Sequence, residues 1–307
     1  GALGLARLPG WRRLGAASRR LTVCTRGRGF RGRRPLGVDL LQAGAIRRRA
    51  ALGRGDRVIG TVREGTPPIE ATPDQLHVLT LDMRDRDAVS DAVRNAFAIA
   101  GTIDVVVNNA GFGLVGAVGE ASREEIASVF DVNFFGPIEL IQTALPFLRA
   151  QGSGHIINIT SIAGRSPGMG AGIYAAAKHA VEGLSKALAQ EVAPHGIKVT
   201  SVAPGVFRTD FFTDHSIRTS SAQTDAWTDS VDKMRFAYKS ASGRQPGDPD
   251  KAAQAMLALV DAGNPPLHLL LGSDALKRDR AKIAETLAEM DQWEAVTTST
   301  DFPRDPA

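Results

Sequence analysis

The chain has 307 residues, of which 43% are apolar and 23% charged. That is ordinary globular usage and excludes global disorder, while the single cysteine, Cys24, excludes an intramolecular disulfide framework or a cysteine-rich metal site. The net charge of +4 hides an asymmetry: residues 1–50 hold 13 Arg, one Asp and no Lys or Glu, a sum of +12, so the other 257 residues carry −8.

Residues 1–37 form an atypical arm of Gly and Arg with little sustained apolar period. Three readings compete for it. It resembles an organellar transit peptide in being rich in Arg and poor in acids. A basic tail for phosphates gives the same composition. So does an artefact, meaning a wrong start site or GC-rich DNA read out of frame. Beyond the arm the surface is acidic, so no nucleic-acid partner is expected. No apolar run approaches the ~20 residues needed to span a bilayer, which predicts a soluble, cytoplasmic protein without a membrane partner.

From Gly55 the pattern becomes regular. Val38–Leu41 is a candidate first strand, and Arg57–Val62 and Leu76–Leu81 read as short buried strands. A helix is expected over Asp85–Ala100, and the β-branched run Ile103–Val107 marks a strand buried on both faces. Ser122-Arg123-Glu124-Glu125 is a capping-box signature opening a long helix with Ile126, Val129, Phe130, Asn133 and Phe134 on one stripe. A strand over His155–Thr160, a helix over Tyr174–Val192 and a strand over Lys198–Val202 follow. Lys251–Ala262 reads as helix and Leu267–Leu271 as strand. Strands alternating with helices predict an α/β chain: one doubly wound, Rossmann-like parallel sheet in a single domain over 38–275. Ligands in such folds sit at the carboxyl ends of the strands.

The chemistry concentrates there. Tyr174 and Lys178 are four apart on a helix and so share a face, about 5–6 Å apart. An ammonium near a phenol lowers a pKa that starts near 10, making tyrosine a general acid/base. Ser161 closes the strand Ile157–Thr160, so its hydroxyl sits near the tyrosine helix, although a turn cap is the ordinary use of such a serine. Asn133 interrupts an apolar stripe, where it is costly unless hydrogen-bonded. Asn108-Asn109-Ala110-Gly111 ends the central strand and lets a ligand approach the backbone. Pro204-Gly205-Val206-Phe207-Arg208-Thr209 ends a later strand, with Thr209 able to hold an amide or phosphate.

Together these motifs, in this order and spacing, resemble the short-chain dehydrogenase/reductase family over roughly residues 44–275. Within it the chain looks most similar to bacterial members resembling 17β-hydroxysteroid dehydrogenases. The resemblance implies an NAD(P)(H)-dependent oxidoreductase interconverting an alcohol and a ketone or aldehyde. In it Tyr174 moves the proton, Ser161 holds the substrate oxygen, and Lys178 lowers the tyrosine pKa and bonds the nicotinamide ribose. Asn133 holds a water linking Lys178 to solvent. Asn109 and Gly111 line the cofactor, Pro204, Phe207 and Thr209 its carboxamide end, and Asp82 the adenine. Asp82 reads equally as a helix N-cap. Arg63 ends Val58–Val62 where an NAD site places an acid, which predicts NADP(H) over NAD(H), against the neighbouring Glu64. The family also implies a homo-dimer or tetramer through the helices carrying Asn133 and Tyr174.

The family's glycine-rich loop is degraded. Gly44 is its last glycine by position, but Val38 and Gln42 fall where the others belong, and Gly27-x-Gly29-x-x-Gly32 lies too far from the Arg57 strand. This supports an alternative, a non-catalytic dinucleotide-binding scaffold. Residues 206–246, too long for an ordinary loop, read as a helical lid carrying Phe207, Phe211, Phe212, Trp227, Phe236 and Tyr238. Those aromatics predict a small apolar alcohol or ketone as substrate, or serve the lid's own packing. The tail, 276–307, is expected to be helical, with Leu276, Ile283, Leu287 and Met290 on one stripe that caps the pocket or meets a partner subunit.

Overall fold

The computed structural model describes residues 49–65, 71–209, 211, 213, 216–240 and 243–302, with the side chains of 237–240 left aside. The arm, the Val38–Leu41 strand, Gly44, the Gly27-Gly29-Gly32 run and Phe212 lie outside the described residues.

The strands are β1 (Val58–Val62), β2 (Leu76–Thr80), β3 (Val105–Asn108), β4 (Gly113–Val115), β5 (Gly154–Ile159), β6 (Ile197–Pro204), β7 (Ile217–Thr219) and β8 (His268–Leu271). The helices are α1 (Arg86–Ala100), α2 (Arg123–Phe130), α3 (Gly136–Gln151), α4 (Gly172–Val192), α5 (Lys233–Ser240), α6 (Pro249–Asp261) and α7 (Ser273–Thr298). Every strand pair is parallel. The main sheet runs β3-β5-β6-β8, while β1 pairs with β2, and β4 with β7.

Both faces of the main sheet are covered, which is why its strands read as unbroken apolar runs. Val106 and Ile156 face α1, α3 and the end of α4, through Val89, Phe97, Leu140, Leu148 and Leu188. Val105, Val107 and Ile157 face the opposite way, onto α6 and the helical turn at 49–54, through Met256, Leu257 and Ala51. Helix starts follow the sequence signals: Asp85 caps α1 by accepting from the Ala88 amide, and Ser122 and Glu125 form a reciprocal capping box on α2.

One expectation is corrected: the lid is not purely helical. Its Ile217–Thr219 segment extends the short strand Gly113–Val115, a pairing between segments a hundred residues apart that no local pattern announces.

His155 on β5 is buried and meets the Thr200 hydroxyl at 2.9 Å. Burial, with Lys198 nearby, pushes its imidazole down to about 4. Between the ordinary value near 6.5 and about 4 the unfolded chain binds a proton that the folded one refuses. Stability should therefore fall as the pH drops through that window, by roughly 3 kcal/mol at most. Urea titrations at pH 7.5 and 5 should show a larger loss for the wild type than for His155→Gln, and equal losses would refute the assignment.

Candidate active site

The carboxyl end of β5 and the first turns of α4 build the centre of the site. Tyr174 is buried at 8% exposure, and the Lys178 Nζ one turn later lies 5.9 Å from its ring centroid. Nζ donates to the Ile159 carbonyl at 2.9 Å, so the lysine ties the tyrosine helix to the strand end that carries Ser161. Burial pushes the ammonium down to about 8, opposed by the Glu182 carboxylate a turn further along. Gly164 permits this docking, since a Cβ there would come within 2.9 Å of the Lys178 backbone.

Ser161 does act as a cap: its Oγ accepts from the Ala163 amide at 3.1 Å and opens the short 3-10 turn Ile162–Gly164. Capping uses one acceptor lone pair, and the hydroxyl proton still serves a substrate oxygen. The two readings of Ser161 are therefore compatible.

Asn133 is 1% exposed, and both ends of its amide are spent on Phe112: Oδ1 accepts from the Phe112 amide and Nδ2 donates to the Phe112 carbonyl. The amide is thus a strut under the segment after β3, and the water-holding role expected of Asn133 does not fall to this side chain. The helix around it forms a π turn over Asp131–Phe135. Pro137 lacks the N–H that an α-helix would deliver to the Asn133 carbonyl, so the main chain there loses its usual donor. Gly111 completes the corner: a Cβ on it would sit 3.0 Å from Asn133 Oδ1 and 3.2 Å from Lys178 Nζ. Gly111, Asn133 and Lys178 therefore share one small space.

Asn108 takes a structural part, donating to Asn158, which donates to Ser185 on α4. Asn109, at the end of β3, is half-buried. At the other strand ends the matches are looser. Gly205 and Val206 are clasped by Asp274 at the start of α7, whose carboxylate accepts from the Val206 amide at 2.9 Å. A Cβ on Gly205 would strike that carboxylate. Pro204 ends β6, and Phe207 packs on the Met256–Leu257 side of the core and against Gly247. The Thr209 hydroxyl accepts from the Phe211 amide at 3.3 Å. Asp82 is not a helix N-cap; Asp85 is. The Asp82 carboxylate pairs with Arg84 at 2.5 Å, and the guanidinium holds it below the usual carboxylate range. Arg63 is well exposed at the end of β1, with its Nε 3.5 Å from Glu64.

The residues at the nicotinamide end (Gly111, Lys178, Ser161 and Tyr174) fit a dinucleotide approaching the strand ends. The glycine cradle for its pyrophosphate has no counterpart among the described residues.

Comparison with known proteins identifies the fold and the family. The short chain dehydrogenase family model matches residues 52–219. The chain belongs to the short-chain dehydrogenase family. A short-chain dehydrogenase from Streptomyces avermitilis has a solved structure that superposes with a TM-score of 0.80 at 37% identity, covering 86% of this chain and 99% of that one. Oxidoreductase BOA17 of Botryotinia fuckeliana is 34% identical over 82% of this chain and 92% of its own length. The 3-ketodihydrosphingosine reductase of Bacteroides thetaiotaomicron is 35% identical over 71% of this chain and 80% of its own. These relatives make the chain a short-chain oxidoreductase with a Rossmann-like fold. Among the described residues no helix is long and apolar enough to cross a membrane.

Two charged knots of this short-chain dehydrogenase were not visible in the sequence. Behind the site, Glu182 accepts from Thr160 Oγ1 at 2.6 Å and lies near Arg165 and His268, while Arg165 forks onto Asp279 of α7. Over the site, Glu120 is 3% exposed. It accepts from the Ala117 amide, the Thr224 amide and Arg235, which also pairs with Asp232. Burial alone would raise the Glu120 pKa, but those donors outweigh it and hold the carboxylate ionised. Both knots join segments about a hundred residues apart, and each residue alone reads as a surface charge.

Proposed function

We propose that this chain interconverts an alcohol and a ketone or aldehyde, with Tyr174 as the acid/base. The observation that carries the reading is the buried phenol with a buried ammonium one turn along, at the strand end that carries Ser161. When bound, a nicotinamide dinucleotide supplies or accepts the hydride. The chain's own residues do the rest. Ser161 donates to the substrate oxygen. Tyr174 gives that oxygen a proton or takes one from it. Lys178 favours the phenolate by charge and offers a donor to a ribose hydroxyl. Gly111 leaves room beside Lys178 for that sugar, and Asn133, beside Gly111 and Lys178, would hold a water linking the ammonium to solvent. Asn109 lines the same wall. Thr209 and the Pro204 turn offer polar atoms at the carboxamide end, and Asp82 stands at the adenine end.

The apolar-substrate reading, including the steroid-dehydrogenase-like branch, is supported by the rim. Phe211 lies 5.9 Å from the Tyr174 ring. Val118, Met169, Trp227 and Phe236 are large apolar side chains that stay exposed. The name of the Bacteroides thetaiotaomicron relative is that of a keto reductase. Arg63, exposed and 3.5 Å from Glu64, is the residue that would take a 2′-phosphate and favour NADP(H). Arg63→Asp should invert the ratio of NADPH to NADH affinity, and an unchanged ratio removes Arg63 from cofactor choice. A homo-dimer or tetramer is part of the same proposal.

The whole-chain test is a fluorescence titration of the 307-residue protein with NADPH and NADH, followed by turnover on a panel of ketones. Saturable binding and reduction of apolar ketones are expected. The scaffold reading draws on the degraded glycine pattern and on the Asp82 carboxylate committed to Arg84. No binding of either dinucleotide at millimolar levels would decide for it.

Alcohol oxidation should weaken as the pH rises through about 8, because Lys178 loses the charge that favours the phenolate. Glu182 stabilises that ammonium, so Glu182→Gln should move the fall to lower pH. A profile flat from pH 7 to 9.5 in both proteins would remove Lys178 from the proton chemistry.

A further inference from the structure

Helix α7 is anchored at only one end. Ala275 and Asp279 are buried, Arg165 grips Asp279, and Arg278 donates to the Ser166 carbonyl. From 283 to 302 every residue is exposed. Just over four turns of helix thus stand away from the described body, and a helix of about that length is marginal in water without packing.

The exposed turns are not uniformly polar. Leu276, Ile283, Leu287 and Met290 are 40–63% exposed and follow a 7, 4, 3 spacing that keeps them within one narrow stripe, with Trp293 at its edge. The charges are divided along the axis. Lys277, Arg278, Arg280 and Lys282 all precede Ile283, whereas the charged residues from 283 to 302 are all acids, among them Glu285, Glu289, Asp291 and Glu294. Lys282 already bonds Glu285 within the helix.

We infer that α7 is a self-association surface, on which two copies of this chain pair antiparallel about a two-fold axis near Leu287. A helix that is basic in one half and acidic in the other is complementary to its own reverse. Reversal about Leu287 brings Ile283 and Met290 of the two copies into one apolar seam and sets Arg280 against Glu294. The parallel arrangement sets acid against acid and is disfavoured. A two-fold axis makes one sequence supply both sides of the interface. This surface is separate from the helices of Asn133 and Tyr174, through which the family resemblance implies assembly.

The test uses the full chain with Cys24→Ser as background. Leu287→Cys and Leu276→Cys are treated with a short bis-maleimide. Antiparallel pairing puts position 287 of both copies at the axis and separates the two copies of position 276 by about 33 Å along the helices. Cross-linking to covalent dimer should be several-fold faster at 287. Light scattering then compares Arg280→Glu, Glu294→Arg and the double exchange, where each single change should weaken association and the double should restore it. Equal cross-linking at both positions, none at either, or a double exchange no better than its parents overturns the inference. A stripe covered by another part of the same chain gives no cross-link at either position and counts against it equally.

Discussion

Tyr174→Phe is expected to lower kcat by about 10²–10⁴-fold while leaving the fold and the affinity for dinucleotide nearly unchanged. The substitution removes one hydroxyl from a ring that is 8% exposed and packed 5.9 Å from Phe211, so the apolar contacts of the ring stay in place. What is lost is the only phenol within reach of the Lys178 charge on that helix face. Ser161 and the bound substrate geometry remain, which is why some turnover survives. Stopped-flow reduction of the best ketone, with a thermal melt as control, reads the effect. A loss smaller than about tenfold with an unchanged melt would transfer the proton step to another group.

The second large effect concerns stability. Glu120→Ala should destabilise the protein by about 3–5 kcal/mol, the usual cost of removing one partner from a buried ion pair. Arg235 is 8% exposed and would keep only Asp232, while the amides of Ala117 and Thr224 would lose their acceptor. The double variant Glu120→Ala with Arg235→Met should cost less than the sum of the two singles, because no charge is left buried and alone. Urea midpoints of the four proteins test this. A single-variant loss under about 1 kcal/mol would mean that the lid does not depend on the knot. Turnover should fall with the single variant as well, since these bonds fasten the 216–240 segment to Glu120, in the stretch that follows Gly111.

These two expectations differ in how readable they were. The tyrosine, the lysine and the serine were legible because each sits at a fixed offset within one element or at the end of one. Tyr174 and Lys178 lie one turn apart, Ser161 closes a β-branched run, and the capping box Ser122–Glu125 opens its helix as the local pattern demands. Period and turn chemistry act over a few residues, so a linear sequence displays them. The alternation of strands and helices carried the fold class for the same reason.

Tertiary structure decided what depends on distant segments meeting. Asn133 was marked as a costly buried amide, but only the fold showed that Phe112 satisfies it and that the π turn before Pro137 reshapes the main chain. Glu120 with Arg235, and Glu182 with Arg165 and Asp279, are ordinary charges until burial removes water and makes each pairing obligatory. Strand Ile217–Thr219 exists because Gly113–Val115 offers it an edge, and a three-residue strand carries too little pattern to announce itself. The sequence by itself determined the chemistry at the strand ends and the layered α/β plan, since local hydrogen bonding and apolar period specify both. Which charges are buried and how the lid is fastened were decided in three dimensions, because desolvation and strand pairing depend on neighbours that the order of residues does not reveal.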